Sequence, residues 1–207
     1  MRRDGRIIAR SPVVTTHVTA RPPAPITTLP PPAPPPTLGP APGRPPLDPA
    51  QFGVEGTGGA PSPETLALLN NPNVAFNAVG VADLQAGRID PRVVAVLTKL
   101  AQSHALNVGA MCSDHPKFTA GGSVSLHYLG RGVDIALIDS VPVNTANQTA
   151  RDVAVGLSAL DAGYRPDEIG SPFSIAAPGY FTDASTQDNI HIAFKQPIDP
   201  SWTPPTT

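Results

Sequence analysis

Residues 125–138 read SLHYLGRGVDIALI, and the second half of this stretch decides the fold. In residues 132–138, bulky and small side chains alternate with the period of a β-strand. The bulky face carries Val133, Ile135 and Leu137, and the small face carries Gly132, Asp134 and Ala136. A carboxylate inside an apolar strand is costly to bury unless a cation or several donors compensate it. We therefore expect a positive group against Asp134.

Two histidines are placed to reach this carboxylate. His127 precedes two glycines, Gly130 and Gly132, which allow the backbone to turn sharply and bring the imidazole beside the strand. His191 lies in a second predicted strand, residues 189–195, on the face opposite the bulky apolar side chains. Two imidazoles and one carboxylate would leave a tetrahedral Zn²⁺ with one open position, which is the arrangement of a catalytic site. The pattern predicts a zinc centre.

Other polar residues near these ligands have several interpretations. Asp188 stands three residues before His191, and it is the candidate general base for a water in the open position. Asp114 and His115 suggest a second metal pair, although a polar loop ahead of a proline explains them as well. Cys112 is the only cysteine, so any metal ligands are mainly histidines and carboxylates. For His127 and Asp134, the alternative is a buried histidine–carboxylate hydrogen bond of structural value only, and for His191 it is a solvent-facing strand histidine.

The segment at residues 125–134, SLHYLGRGVD, resembles the motif S-x-H-x-x-G-x-x-x-D of the zinc D-alanyl-D-alanine peptidases. This family has the Hedgehog/DD-peptidase fold, includes vancomycin-resistance dipeptidases and phage endolysin peptidases, and cuts peptidoglycan stem peptides. Residues 66–195 are similar to uncharacterised domains of actinobacterial proteins. The resemblance implies an α+β domain with a small antiparallel sheet and packed helices.

The same resemblance implies roles for individual residues. His127, Asp134 and His191 would be the zinc ligands, and Asp188 would stand where the family has the glutamate of an E-x-x-H motif. The residues that would lie around the ligands or the substrate are Ser125, Tyr128 and Arg131. The implied activity is hydrolysis of peptide bonds next to D-amino acids, and the implied location is the cell envelope or the exterior of the cell.

Three departures from the family pattern favour other readings. The stretch GAMCSDHPKF at residues 109–118 has no arginine to hold a substrate carboxylate, so Lys117 or Arg131 would have to replace it. Aspartate at 188 is one methylene shorter than glutamate, and Asn189 stands where related sequences have histidine. The alternatives are a catalytically inactive module that binds cell-wall peptide and a structural domain that the metal only stabilises.

Hydrophobic periodicity and capping residues predict the surrounding elements. Helices are expected after Ser62, over residues 81–85, from Asp90 to His104 and over residues 144–162, strands over residues 106–111 and 141–143, a tight turn at Asp139 and Ser140, and an irregular loop over residues 164–178. The predicted domain spans residues 62–197. Residues 1–20 are expected to be disordered, and residues 198–207 are expected to form a frayed tail.

Composition sets limits on the rest of the chain. Of its 28 prolines, 14 fall within residues 21–50, so residues 21–61 are predicted to be an extended Pro/Gly-rich linker. The net charge of −2 and the absence of a basic cluster argue against a nucleic-acid partner. We expect a monomer with a small peptide as partner, no membrane-spanning segment and no visible secretory signal.

Overall fold

The computed structural model describes residues 58–205, which form a mixed α+β fold. The predicted disordered segment 1–20 lies outside the described residues, as does the predicted linker 21–61 apart from residues 58–61. Within the described part of the chain, no helix is long and apolar enough to cross a membrane. The tail that we expected to fray is described as far as Pro205, whose carbonyl accepts a hydrogen bond from the Tyr164 hydroxyl at 3.3 Å.

In the part of the chain that the structure describes, four α-helices begin at residues whose side chains cap them. They are α1 (Pro63–Leu69), α2 (Ala78–Gln85), α3 (Pro91–Leu100) and α4 (Gln148–Gly156). Ser62 and Asp90 accept hydrogen bonds from backbone N–H groups in the first turns of α1 and α3, and each helix starts with proline. Both predicted helix starts are therefore confirmed.

The other two helices differ in length from the prediction. Asn77 accepts a hydrogen bond from the Gly80 N–H at 2.7 Å, so α2 begins three residues earlier than expected. Asn147 caps α4 in the same way, and the helix passes into a 3-10 turn at Leu157–Ala159. Because these caps fix the ends, α4 is shorter than the predicted helix over residues 144–162.

Within residues 58–205, seven strands form one sheet. They are β1 (Val74–Phe76), β2 (Leu106–Ala110), β3 (Gly132–Ile138), β4 (Val141–Pro142), β5 (Glu168–Gly170), β6 (Tyr180–Phe181) and β7 (Ile190–Ala193). Their order across the sheet is β1-β2-β3-β7-β5-β6, and β4 also pairs with β3. The central strands β3 and β7 are the two that carry the predicted ligands Asp134 and His191.

The sheet is mixed, whereas a small antiparallel sheet was expected. Strands β1 and β2 are parallel, as are β5 and β6, whereas the pairs around β3 and β7 are antiparallel. Helices α2 and α3 connect β1 to β2, and a crossover of this kind returns the chain to the same end of the sheet. Strands β1, β5 and β6 were not expected, because two or three residues are too few to show a period of two.

The core lies between the helices and the apolar face of the sheet. α3 contributes five buried residues to this core, which are Val93, Val94, Val96, Leu97 and Leu100. On β3, Val133 and Ile135 are fully buried as predicted, but Leu137 is only half-buried and Ile138 replaces it in the core. The register shifts there, because Val108 pairs with Ile135 and Asn107 with Leu137. These pairs leave Ala136 as an extra residue on β3. Such a β-bulge reverses the alternation of buried and exposed faces along the strand.

The hairpin between β3 and β4 confirms the predicted turn. Asp139 and Ser140 have φ values of 51° and 67°, the left-handed conformation that a two-residue hairpin of this type requires. The Asp139 carboxylate also accepts hydrogen bonds from the Ala105 N–H at 2.8 Å and the His104 ring at 2.9 Å. These bonds hold the end of the hairpin against the start of β2.

Candidate metal centre

Asp134 and His191 lie side by side on the two central strands. In the antiparallel register of β3 and β7, Asp134 is directly opposite His191. Side chains of opposed residues project from the same face of a sheet, so the carboxylate and the imidazole meet. Their closest atoms, Asp134 Oδ1 and His191 Nδ1, are 2.9 Å apart.

His127 reaches the same point from the loop between β2 and β3. Its Nε2 lies 3.1 Å from His191 Nδ1 and 3.2 Å from Asp134 Oδ1. The side chain is 2% exposed, so this ring is fully inside the protein. The structure therefore brings together all three residues that the sequence predicted as metal ligands, and their three nearest atoms lie within 3.2 Å of one another.

Two small residues allow the His127 loop to approach the strand so closely. A Cβ at Gly132 would lie 3.0 Å from the backbone nitrogen of His127 and 3.2 Å from its ring, so a larger residue would displace the ligand. Gly130 has a φ of 68°, which glycine adopts without strain. Ser125 is buried and accepts a hydrogen bond from the His127 N–H at 3.2 Å. This predicted neighbour of the site therefore orients the ligand loop, which is the segment between β2 and β3 that carries His127.

The hydrogen bonds on the outer side of both rings decide where the lone pairs point. His127 Nδ1 lies 2.7 Å from the Met111 carbonyl oxygen, which can only accept, so Nδ1 carries a proton and Nε2 presents a lone pair. His191 Nε2 lies 3.5 Å from Glu168 Oε1, which favours a proton on that nitrogen and a lone pair on Nδ1. When both rings are neutral, two ring lone pairs and a carboxylate oxygen converge, and a metal ion or a shared proton would compensate them.

The electrostatics of the cluster favour a carboxylate anion facing positive charge. Burial by itself raises the pKa of Asp134, but the charges and hydrogen bonds of His127 and His191 outweigh it and bring that pKa below its ordinary value. Burial lowers the pKa of His191, whereas its hydrogen bonds to Asp134 and Glu168 raise it, with a net result of about 9. Either a proton or a metal ion can supply the charge that these atoms share.

His115 joins the cluster from the same loop, and Asp114 does not. One ligand atom of His115 lies within 4.8 Å of the ligand atoms of His127 and Asp134, and this group of three could hold a metal ion. Asp114 instead accepts hydrogen bonds from the Met111 N–H and from the Asn77 side chain, both at 2.8 Å. Of the suggested second metal pair, His115 therefore belongs to the metal cluster, whereas Asp114 fixes the loop.

The structure does not connect Asp188 with the three ligands. Its side chain is exposed, and its Oδ1 accepts a hydrogen bond from the Asn189 amide at 3.1 Å. Among the described contacts, no hydrogen bond or ion pair joins it to His127, Asp134 or His191. The short strand β7 begins only at Ile190, so Asp188 belongs to the preceding turn.

Tyr128 and Arg131 are both buried beside the ligand loop. The Lys117 ammonium lies 5.0 Å from the centre of the Tyr128 ring. The Arg131 guanidinium donates a hydrogen bond from Nη1 to the Lys195 carbonyl at 2.7 Å and so ties the loop to the end of β7. Of the two cations considered for holding a substrate carboxylate, Arg131 is therefore engaged in holding the fold together.

Glu168 and Lys195 are site residues that sequence reasoning missed. Glu168 Oε2 lies 3.2 Å from the Lys195 ammonium, and its other oxygen faces His191. The hydrogen bond from His191 is the main cause that lowers the pKa of Glu168. Both residues line a surface groove together with Gly179, Tyr180 and Phe181. The segment PDEIGSPF gave no signal, because the three-residue strand β5 was expected to be an irregular loop.

No protein-family model matches the chain, and no curated protein matches it at a significant level.

Proposed function

We propose that this chain is a zinc-dependent hydrolase of the peptidase type, acting on peptide bonds next to D-amino acids in peptidoglycan stem peptides. His127, Asp134 and His191 hold the metal. The observation that carries the proposal is the convergence of two ring nitrogens and one carboxylate oxygen within 2.9–3.2 Å. The motif resemblance at residues 125–134 and the Hedgehog/DD-peptidase fold that it implies belong to the same proposal.

The donor set fits zinc. Imidazole nitrogens and a carboxylate oxygen are ligands that Zn²⁺ takes, and three protein ligands are typical of catalytic zinc sites. Each histidine has an outer partner, the Met111 carbonyl or Glu168, as metal-bound histidines almost always do. A zinc ion held here would supply a Lewis acid that polarises a substrate carbonyl and lowers the pKa of water.

The groove beside His191 is the proposed path of the peptide. Phe181 forms one wall and packs edge-on against the His191 ring, with their centres 5.9 Å apart. The Lys195 side chain is half exposed and lines this groove, with its ammonium 3.2 Å from Glu168 Oε2. Lys195 is therefore the cation that we assign to a substrate carboxylate, in place of the arginine that the family uses.

Two carboxylates near the site take different roles in the proposal. Both oxygens of Glu168 are engaged, by His191 and by Lys195, so Glu168 positions the third ligand. Asp188 is exposed, and among the described contacts its side chain accepts a hydrogen bond only from the Asn189 amide. We therefore retain Asp188 as the base. Asp188→Asn is expected to abolish hydrolysis and leave metal content unchanged.

One observation favours a second candidate function. Because Asp188 makes no described contact with the ligands, a metal-containing module that binds cell-wall peptide without cutting it also fits the geometry. This module would keep the groove and the metal, and Asp188→Asn would not change its affinity for stem peptide.

The first experiment measures metal content by mass spectrometry and stem-peptide cleavage for wild type, His127→Ala and the control His104→Ala. His104 is also a histidine paired with a carboxylate, but it lies outside the metal centre. The hydrolase requires about one zinc ion per chain and cleavage, both lost only in His127→Ala. Zinc without cleavage supports the binding module, and a wild-type chain without metal overturns both proposals.

A further inference from the structure

The carboxylate of Asp83 is fully buried on helix α2. Its side chain is 0% exposed, and a charge removed from water destabilises a protein unless hydrogen-bond donors compensate it. Its Oδ2 accepts a hydrogen bond from the Ser113 N–H at 2.7 Å, and its Oδ1 accepts from the Ser113 hydroxyl and from the Arg88 guanidinium, the latter at 3.1 Å. Two of these three donors belong to the ligand loop, so Asp83 bonds the helix to that loop.

Ser113 lies in a turn at the start of the ligand loop, residues 111–114. Asp114 closes this turn, because its Oδ1 accepts a hydrogen bond from the Met111 N–H at 2.8 Å. Its Oδ2 accepts a second hydrogen bond, also at 2.8 Å, from the amide of Asn77, which is the residue that caps α2. The turn is therefore bonded to α2 at two positions, through Asp83 and through Asn77.

The same turn presents the outer hydrogen-bond partner of His127. The Met111 carbonyl oxygen lies 2.7 Å from His127 Nδ1, and both residues are buried. Because a carbonyl oxygen only accepts, its position determines that Nδ1 carries the proton and that the lone pair of the neutral ring is on Nε2, which lies 3.2 Å from Asp134 Oδ1. A displaced Met111 carbonyl would leave the ring free to rotate or to change its tautomer.

We infer that Asp83 is a positioning residue for the metal centre. By fixing the 111–114 turn, the buried carboxylate holds the Met111 carbonyl against His127 and thereby directs the Nε2 lone pair toward the ligand cluster. Outer hydrogen-bond partners of this kind fix the orientation of metal-bound histidines. The effect on zinc rests on the metal centre proposed above, whereas the effect on the His127 ring does not require a metal ion.

Two substitutions test the link between the helix and the turn. Asp83→Asn keeps nearly the same size, but an amide has only one acceptor oxygen, and its NH₂ group would face a donor. Ser113→Ala removes one of the two bonds from the turn and keeps the buried carboxylate, so it carries the test if Asp83→Asn does not fold. Asp139→Asn is the matched control, since that carboxylate also accepts a backbone N–H and a side-chain bond but lies in the β3–β4 hairpin.

Two measurements on the full-length chain separate positioning from overall stability. In the metal-free protein, NMR follows the exchange with water of the His127 Nδ1–H and of the β3 amides, because the amides report opening of the core. The affinity for Zn²⁺ is measured by titration against a competing chelator, under conditions in which each variant is folded.

We expect the His127 Nδ1–H to exchange faster relative to the β3 amides in Asp83→Asn and, to a smaller extent, in Ser113→Ala. The affinity for Zn²⁺ should fall by about tenfold in Asp83→Asn, which is the lower end of the range for outer partners of metal ligands. Asp139→Asn should change neither quantity.

Three results would decide against part of this scheme. Equal acceleration of the ring proton and the β3 amides would show that Asp83 acts only through overall stability, and it would overturn the inference. Unchanged ring exchange in both variants would also overturn it, whatever the metal affinity. A wild type that binds no Zn²⁺ would refute the metal centre instead, and the ring exchange would then still decide whether Asp83 positions His127.

Discussion

At the scale of single residues, the chemistry of this protein depends on which groups are kept from water. Asp134 stays ionised in a largely apolar strand because His127 and His191 place positive charge against it. Cys112, in the loop between β2 and β3, has the opposite environment. Burial and the nearby charge of Asp83 raise the pKa of its thiol to about 12, and Arg88 opposes this only in part.

Cys112 should therefore be unreactive in the native protein. Its side chain is 1% exposed, and the thiolate that attacks alkylating reagents is scarce at neutral pH. We expect iodoacetamide to modify the native protein very slowly at pH 8 and to modify it fully in guanidinium chloride, as followed by mass spectrometry. Rapid labelling of the native chain would contradict the buried environment.

Asp139 is expected to make stability fall in acid. Its hydrogen bond with His104 is the main cause that lowers its pKa from the ordinary 3.8. A carboxyl with a lowered folded-state pKa stabilises the protein above pH 3.8, and this contribution is lost as the pH falls through the folded-state pKa. The effect should be small, because the side chain is 45% exposed.

Urea unfolding at pH 7, 4 and 3 measures this effect. Asp139→Asn, which suits the left-handed turn, should lose less stability than wild type between pH 4 and pH 3. Parallel losses in the two proteins would show that Asp139 does not contribute.

At the scale of elements, the pairing of β3 with β7 creates the metal centre, and short strands complete its surroundings. β5 adds Glu168 beside His191, and β6 adds Phe181 to the groove. The turn before β6 is especially tight, because Gly179 has a φ of 83° and its missing Cβ would lie 2.7 Å from the Asp167 carbonyl oxygen. This edge of the sheet therefore depends on glycine at one position.

A pair of glycine substitutions tests that dependence. Gly179→Ala should reduce the free energy of unfolding by more than about 1–2 kcal/mol, because alanine is strained in the left-handed region and would contact backbone. Gly156→Ala, at the open end of α4, should instead stabilise the protein by about 0.5–1 kcal/mol. Denaturant titration of both variants measures the changes, and equal effects would show that the turn tolerates a side chain.

At the scale of the whole molecule, the metal centre connects segments that are far apart in sequence. The ligand loop, β3 and β7 are separated by up to 64 residues, and they meet at three atoms. A cation bound there holds these segments together only in the folded chain, since the unfolded chain does not assemble the site. Metal binding and stability are therefore linked.

Zinc should raise the free energy of unfolding of the wild-type protein. At a free concentration of 100 times the dissociation constant, a ligand specific to the folded state adds about 2.7 kcal/mol. We expect Zn²⁺ to raise the thermal midpoint and a chelator to reverse the rise. His127→Ala should show no rise and His104→Ala a normal one in calorimetry, and a rise retained in His127→Ala would contradict the assignment of that ligand.

Local sequence pattern by itself determined much of this protein. The caps at Ser62 and Asp90, the turn at Asp139 and the strand around Asp134 follow from side-chain chemistry and periodicity within a few residues. Because burying the Asp134 carboxylate in an apolar strand is energetically costly, the sequence predicted His127 and His191 as its partners. The structure places all three together.

Only the tertiary structure decided the features that depend on distant segments. The bulge that buries Ile138 arises from pairing with β2. The parallel strand pairs depend on crossover connections that are longer than any local sequence pattern. Glu168 meets His191 because a three-residue strand joins the sheet, while Asp188 faces solvent although it is three residues from the same ligand. His115 reaches the cluster because its loop folds back over His127. Side-chain pattern fixes which face of an element is apolar, but the approach of two elements is fixed by the packing and register of both.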